Sequence, residues 1–124
     1  MIRHAHNLIP NIARIKEALA KAADITYRQG LLRKGVGLCH GVSGNVFALL
    51  AAADVLDDRD GNEERALHLA SLATQWEVYT HSGKMRLPDA PWSLYEGLAG
   101  MCCAWKAVLD RRRERIGMPG YDDL

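Results

Sequence analysis

The residues best suited to chemistry in this chain are an adjacent cysteine and histidine, Cys39 and His40, within the segment GLCHGVSGN. A thiolate and an imidazole are ligands that Zn²⁺ prefers, usually in a set of about four with tetrahedral geometry. Adjacent side chains on a regular helix point apart, but Gly37 and Gly41 free the backbone to turn both to one side. Spacing alone leaves two interpretations open: a metal-binding pair, or a buried cysteine beside a loop histidine.

Other cysteines and histidines are weaker candidates for ligands. Cys102 and Cys103 stand at core-facing positions of an apolar segment, where cysteine acts as a small apolar filler. The remaining histidines are His4 and His6 in an unpatterned start, His68 at an expected exposed mid-helix position, and His81 at the start of a loop.

A second candidate site is the segment GKMRLPDAPWSLYEG, residues 83–97. Arg86 and Asp89 flank a stiff Leu-Pro pair before an expected helix start, and Lys34 precedes the Cys-His pair. Arginine holds a carboxylate through two hydrogen bonds, and a helix N-terminus favours anions. The segment is therefore either a pocket for a small acidic peptide or carboxylate, or an ordinary proline-containing loop with surface charges.

Helical periodicity covers most of the chain and predicts the elements that must position these residues. We expect helices over Asn11–Gln29, Ser43–Leu56, Glu63–Thr80 and Glu96–Leu109. Ser93 and Glu96 match the S-x-x-E capping box for the last of them. No strand pattern occurs, so the predicted fold class is all-α.

An internal repeat relates two of these helices. HGVSGNVFALLAAAD from His40 aligns with EGLAGMCCAWKAVLD from Glu96, an offset of 56 residues. Each copy has an apolar inner helix that opens on G-x-x-G and follows a more amphipathic outer helix. Such units bury their inner faces only by stacking, so we expect these two to belong to a larger array.

Composition narrows the class of protein. The 124 residues are 48% hydrophobic and 25% charged, with a formal net charge of +1, which argues against nucleic-acid binding. Arg111–Arg113 lie among acidic residues and are expected to be a solvated helix end. No apolar run reaches the roughly 18 residues of a membrane span. Three cysteines suit a reducing compartment, so we expect a cytoplasmic protein, with peripheral membrane association left open.

The segments GLLRKGVGLCHGVSGN and RLPDAPWSLYEGLAG resemble the carboxy-terminal part of LanC-like proteins, the eukaryotic relatives of lanthionine synthetase C. The resemblance runs from about Lys16 to the end, where GMPGYDDL is similar to the family's aromatic-acidic terminus. It implies an (α/α) barrel of which residues 11–124 supply about two of seven outer–inner helix pairs. Residues 1–10 are then an unpatterned tail.

By this resemblance, Cys39 and His40 match two of the family's three protein zinc ligands. The positions that match glutathione-binding residues are Lys34, Arg86, Leu87, Pro88 and Asp89, with Leu87 replacing a more usual threonine. The implied function is zinc-assisted addition of a thiol, from glutathione or a peptide cysteine, to dehydroalanine or dehydrobutyrine residues in peptides. The alternative is a non-catalytic helical interaction or glutathione-binding module.

The resemblance also shows what this sequence lacks. The family's third zinc ligand lies in a W-C-x-G motif one repeat upstream, where this chain reads MIRHAHN. We therefore expect a carboxy-terminal part of a longer protein with an incomplete zinc site, which leaves its own enzymatic activity open. We also expect the inner helices to carry unpartnered apolar faces and to drive self-association.

Overall fold

Five α-helices form the part of the chain that the computed structural model describes, residues 5–57 and 61–121. They are α1 (Ala5–Arg28), α2 (Val42–Val55), α3 (Asn62–Ala73), α4 (Trp76–His81) and α5 (Leu98–Leu109). No strand occurs in those residues, which confirms the predicted all-α class. Outer helix α1 pairs with inner helix α2, and outer helix α3 with inner helix α5, as expected for part of an (α/α) barrel. The described helices are too short or too polar to span a bilayer.

Helix α2 lies at the centre of the molecule and packs against α1, α3 and α5. Its apolar circumference predicted an interior helix, and that prediction is confirmed: Val42, Val46 and Leu49 have no exposed surface. The expectation of an unpartnered apolar face is wrong for most of α2. Its exposed residues are Ala48, Ala51, Asp54 and Val55, of which only the valine is large and apolar.

Within residues 5–57 and 61–121, helix α5 is covered on one side only. It buries Gly100, Met101, Ala104 and Ala107. On its other side Leu109 is 80% exposed and Cys102 is exposed, so the unpartnered face is confirmed here and the core position predicted for Cys102 is wrong. Cys103 is half-buried. The indole Nε1–H of Trp105 donates to the Ala70 carbonyl at 2.8 Å and ties α5 to α3.

The outer helices differ from their predicted bounds. α1 begins at Ala5 rather than Asn11, so Pro10 lies inside the helix rather than before it. The helix predicted over Glu63–Thr80 is divided into α3 and α4. Between them the amides of Thr74 and Gln75 bond to carbonyls three residues back, at 3.2 and 3.1 Å, which tightens the turn and ends α3.

Arg111 closes the C-terminal end of the inner helices. Its side chain is only 8% exposed and pairs with Asp54 at 2.5 Å and with Glu63 at 3.3 Å. Hydrogen bonds to Asp54 raise the pKa of this guanidinium above its ordinary value. The predicted solvated helix end is therefore wrong for Arg111, although Arg112 and Arg113 are exposed. A buried arginine here joins the segment after α5 to α2 and α3.

Candidate functional site

Two loops that share a closing backbone hydrogen bond position the candidate site. In the first, the amide of Val42 donates to the carbonyl of Gly35 at 3.1 Å; in the second, the amide of Leu98 donates to the carbonyl of Pro91 at 2.8 Å. Donors and acceptors are each 56 residues apart, the offset of the sequence repeat. Both inner helices begin after an extended glycine, with φ of −125° at Gly41 and −129° at the corresponding residue 97.

The G-x-x-G spacing follows from close backbone approach. A Cβ on Gly44 would lie 2.3 Å from the carbonyl oxygen of Leu38, and one on Gly100 would lie 2.3 Å from that of Leu94. These contacts are again 56 residues apart. Each inner helix thus starts directly on the loop that precedes it, and no side chain fits between them.

The two loops also bind each other through their backbones. The amide of Cys39 donates to the carbonyl of Tyr95 at 2.8 Å. A Cβ on Gly37 would stand 2.3 Å from the same carbonyl oxygen and 2.5 Å from the Cα of Glu96, so this contact requires glycine. The cysteine of the first loop is thereby fixed beside the residue that corresponds to it in the second.

Cys39 and His40 lie at this junction, directly before α2, and both are exposed. The interpretation of Cys39 as a buried cysteine is therefore wrong. In the described ranges, no three or more His, Cys, Asp and Glu side chains are grouped closely enough to hold a metal ion. His4 lies outside the described residues. The fixed loop thus offers a thiol and an imidazole to solvent, two ligands where a catalytic zinc site uses at least three from protein.

The residues matched to glutathione binding meet across a second backbone contact. The amide of Arg86 donates to the carbonyl of Arg33 at 2.6 Å, beside Lys34. Gly35 has φ of +123°, and a Cβ there would lie 3.6 Å from the carbonyl oxygen of Arg86 and from Cδ of Pro88. The structure therefore brings the Lys34 loop and the Arg86 loop together.

These residues form a surface rather than a cavity. Lys34, Arg86 and Asp89 are exposed, Leu87 is 60% exposed and Pro88 is half-buried. The crevice between the two loops has a volume of about 10 Å³. Ligand pockets usually measure about 300–1,000 Å³, so a peptide would have to lie across the loops, with its carboxylates reaching the exposed cations.

Trp92 is a feature of this surface that the sequence reasoning did not select. It is 68% exposed and packs edge-on against Trp76, with ring centroids 6.3 Å apart. A large aromatic residue within a polar, proline-containing loop was the available signal. The predicted capping box is only partly correct: the amide of Glu96 bonds to Oγ of Ser93 at 3.2 Å, but α5 begins at Leu98.

Comparison with known proteins identifies relatives of this arrangement. A family model described as lanthionine synthetase C-like protein matches residues 4–122. Glutathione S-transferase LANCL1 of Danio rerio is 35% identical over 86 residues, which cover 69% of this chain and 20% of that protein. LanC-like protein GCL1 of Arabidopsis thaliana is 30% identical over 118 residues, covering 95% of this chain and 26% of that protein. The chain therefore spans about a fifth to a quarter of the length of these relatives.

Proposed function

The chain belongs to the lanthionine synthetase C-like family, and from this premise we propose that it forms part of a thiol-addition site. In the proposed reaction, the thiol of glutathione or of a peptide cysteine adds to a dehydroalanine or dehydrobutyrine residue of a peptide. The observation that supports this role is the pair of backbone contacts, Cys39 to Tyr95 and Arg86 to Arg33. These contacts hold the two ends of one short segment, residues 33–40. One end meets the cationic Arg86 loop, and the other carries the thiol–imidazole pair.

The chemistry is a conjugate addition. The thiolate sulfur forms a bond to the β-carbon of the dehydroamino acid, and the electron pair of the double bond moves to the α-carbon and its carbonyl as an enolate. A proton from an acid then completes the α-carbon, so the thiol proton is replaced in the product by one on carbon. We assign the acid to no residue of the described chain.

Glutathione is the thiol that the cationic loop fits best. It carries two carboxylates, and Lys34 and Arg86 are exposed cations on loops that touch. An arginine can bind one carboxylate with two hydrogen bonds while a lysine binds the other as a point charge. Support also comes from the zebrafish relative, which is named a glutathione S-transferase. A cytoplasmic location accords with this proposal, since free thiols and glutathione belong to reducing compartments.

Cys39 and His40 are the residues that would bind zinc. The metal, when bound, lowers the pKa of a coordinated thiol so that it ionises near neutral pH. The described residues do not complete a zinc site by themselves, since they supply two ligands and no third in reach. We therefore assign the pair only to holding the metal, with further ligands from outside the described residues.

The missing ligand favours a second candidate function, a glutathione-binding module without catalysis. Its cationic loop is held by backbone hydrogen bonds and by Gly35, none of which needs a metal. The two candidates make different predictions about zinc and the same prediction about the cations.

The test combines metal analysis with calorimetry on the purified chain. If residues outside the described ranges complete the site, the chain should hold near-stoichiometric zinc that is lost in Cys39→Ala. With or without zinc, glutathione binding should weaken about tenfold or more in Arg86→Ala and Lys34→Ala. Lys84→Ala is the matched control, because Lys84 is an exposed cation two residues before Arg86 that the family match does not include. S-methylglutathione separates the two parts of the site: its binding should depend on the cations and not on Cys39.

Each outcome decides between the candidates. Zinc absent with cation-dependent glutathione binding favours the binding module and contradicts a metal site completed by Cys39 and His40 within this chain. Zinc present without any glutathione binding contradicts the role of the cationic loop. An equal loss of binding in Lys84→Ala and Arg86→Ala would reduce that role to general surface charge.

A further inference from the structure

The segment between α1 and α2 is held by the first turn of α2. The amide of Val42 donates to the carbonyl of Gly35 at 3.1 Å, and the amide of Ser43 donates to that of Val36 at 3.3 Å. Both bonds use main-chain atoms and hold the part of the segment that follows Lys34. The part that precedes Lys34 lies beyond their reach.

Asn45, three positions after the start of α2, reaches this earlier part with its side chain. Its Nδ2 donates to the carbonyl of Gly30 at 3.0 Å. Gly30 is buried, and a Cβ there would lie 2.7 Å from Cδ1 of Leu69, so the main chain passes close to α3 at this point. A buried carbonyl needs a hydrogen-bond partner, and Asn45 supplies one that joins the end of α1 to α2.

The loop before α5 cannot make an equivalent bond. The residue that corresponds to Asn45, 56 positions along the chain, is Met101, which is fully buried. A thioether has no hydrogen to donate to a carbonyl. Of the two related loops, the one with Lys34, Cys39 and His40 is therefore the one that has this side-chain bond. The bond goes with the candidate site rather than with the repeat.

The Arg86 loop has an anchor of its own. The amide of Met85 donates to the carbonyl of Tyr79 at 2.9 Å, and the side chain of Met85 is buried. This loop meets the first one where the amide of Arg86 donates to the carbonyl of Arg33. The placement of Lys34 beside Arg86 therefore depends on how firmly the first loop is held on both sides of the lysine.

We propose that Asn45 is a positioning residue of the candidate glutathione site, which holds the start of the first loop so that Lys34 stays beside Arg86. The inference rests on the proposed function, because it gives Lys34 the task of binding a glutathione carboxylate. Asn45 acts through the lysine and does not itself contact the ligand. Without its amide the carbonyl of Gly30 loses this partner, and the loop gains freedom before Lys34 while its main-chain bonds to α2 remain.

Amide hydrogen exchange, followed by NMR, tests the hold on the loop without any ligand. In Asn45→Ala the Arg86 amide should exchange about fivefold faster, the factor expected for the loss of one hydrogen bond, because its acceptor on Arg33 is held less firmly. The Leu98 amide, which bonds to Pro91 in the second loop, should keep its rate. Equal acceleration of both amides, or no change at Arg86, overturns the proposal.

Two further variants control for the loss of any one hydrogen bond. The hydroxyl of Thr80 donates to the carbonyl of Trp76 at 2.8 Å, a half-buried bond that stays within α4. Thr80 lines the same crevice as Arg86, yet Thr80→Val should leave the Arg86 exchange rate unchanged. Asn45→Asp keeps the shape of the side chain and removes the donor, so it should match Asn45→Ala. A wild-type rate in Asn45→Asp would contradict the role of the amide donor.

Titration calorimetry with glutathione then tests whether Asn45 acts through Lys34. Asn45→Ala should weaken binding about threefold in the wild-type chain. In the Lys34→Ala background the same change should alter binding by less than about 1.5-fold, because the group that Asn45 positions is gone. An equal weakening in both backgrounds would show that Asn45 does not act through the lysine.

The two measurements separate this inference from the proposed function. If the wild-type chain binds no glutathione, the proposed glutathione site is wrong, and the exchange rates of the Arg86 amide alone decide whether Asn45 holds the loop. If glutathione binds in a cation-dependent way and Asn45→Ala binds it as the wild type does, the proposed function stands and the positioning role of Asn45 is wrong.

Discussion

The loop before α2 and the loop before α5 share a closing hydrogen bond and the close glycine contacts, but they carry different side chains. Both loops end in an extended glycine. In both, the first amide of the following helix donates to the carbonyl seven residues earlier. Yet the first carries Cys39 and His40 where the second carries Tyr95 and Glu96. The comparison shows that glycines and backbone hydrogen bonds set the contacts that these loops share, while the thiol–imidazole pair stands in only one of them.

The helices that follow the loops differ in a second way. α2 ends in Asp54 and Val55, and the corresponding residues after α5 are Asp110 and Arg111. The arginine side chain folds back onto the end of the first pair, so the second pair stabilises the first through a contact that has no counterpart in the other direction.

The largest effect is expected from Gly41→Ala and Gly97→Ala. The added Cβ would lie 2.4 Å from the amide nitrogen of Gly37 in one and 2.1 Å from the carbonyl oxygen of Pro91 in the other. Because backbone atoms cannot move aside cheaply, each variant should lose about 3–5 kcal/mol of unfolding free energy in urea titrations. Gly83→Ala is the control: it has open space, and only its φ of +75° costs it about 1 kcal/mol. A large loss in only one of the two variants would show that the loops are not equivalent.

Arg111→Ala should have the next largest effect and marks the difference between the two pairs. The alanine removes the nearly buried guanidinium that bonds to Asp54 and Glu63. The free energy of unfolding in urea should therefore fall by about 2 kcal/mol. Arg115→Ala is the matched control, since Arg115 also pairs with Asp54 but is 70% exposed and should cost under about 0.5 kcal/mol. Equal losses in both variants would contradict the role of burial.

Ser43→Ala should be neutral or stabilising by up to about 1 kcal/mol. The hydroxyl of Ser43 is fully buried in the first turn of α2 and has no hydrogen-bond partner among the described residues, so the alanine removes an unpaired polar group. Its counterpart in α5 is Ala99, which is half-buried, and Ala99→Ser should change little. A clear loss of stability in Ser43→Ala, measured by urea unfolding, would indicate that the hydroxyl has a partner after all.

The smallest effect is a pH dependence at the end of α5. The hydrogen bond from Lys106 lowers the pKa of Asp110 below its ordinary 3.8 and raises that of the lysine above 10.5. A lowered carboxyl pKa stabilises the fold above pH 3.8, and this stabilisation is lost as the pH falls through the pKa of the folded state. The raised lysine pKa stabilises the fold below pH 10.5, and this stabilisation is lost as the pH rises through the lysine pKa of the folded state.

Unfolding of Lys106→Gln at several pH values checks this pair. The difference in unfolding free energy from wild type should be constant between those limits and shrink at both ends. At the matching position of the first pair, Asp54 is held by arginines, which stay charged, so Arg115→Ala should show no such decrease on the alkaline side. A pH-independent difference for Lys106→Gln would show that the ion pair adds nothing.

Periodicity predicted the inner helices well because their apolar residues have one structural solution, burial in the core. The expected range Ser43–Leu56 differs by one residue at each end from the observed α2. The start of α5 was misplaced because Ser93 and Glu96 form their capping contact within a turn, while the approach of Gly97 to Pro91 sets the helix start. That approach involves Pro91, which lies outside the four-residue capping pattern.

The roles given to the candidate-site residues stay predictions, and only their placement can be compared with the structure. The charge pattern left Lys34 and Arg86 as either a pocket or surface charges, and the family resemblance then matched both to glutathione binding; neither indicated the bond from the Arg86 amide to the Arg33 carbonyl. Burial was harder to predict. Cys102 was expected in the core and is exposed, whereas Arg111 was expected to be solvated and is nearly buried. Both depend on which side of α5 meets a neighbour, and that is a property of the whole packing arrangement.

The hydrogen bond from the amide of Cys39 to Tyr95 has a consequence for reading relatives of this protein. The bond uses only main-chain atoms, so any residue except proline at position 39 can keep it. A descendant could therefore lose its thiol by a single codon change and keep the backbone shape of this loop. In this family the fold therefore indicates common ancestry, whereas activity has to be judged from the residues at positions 39 and 40.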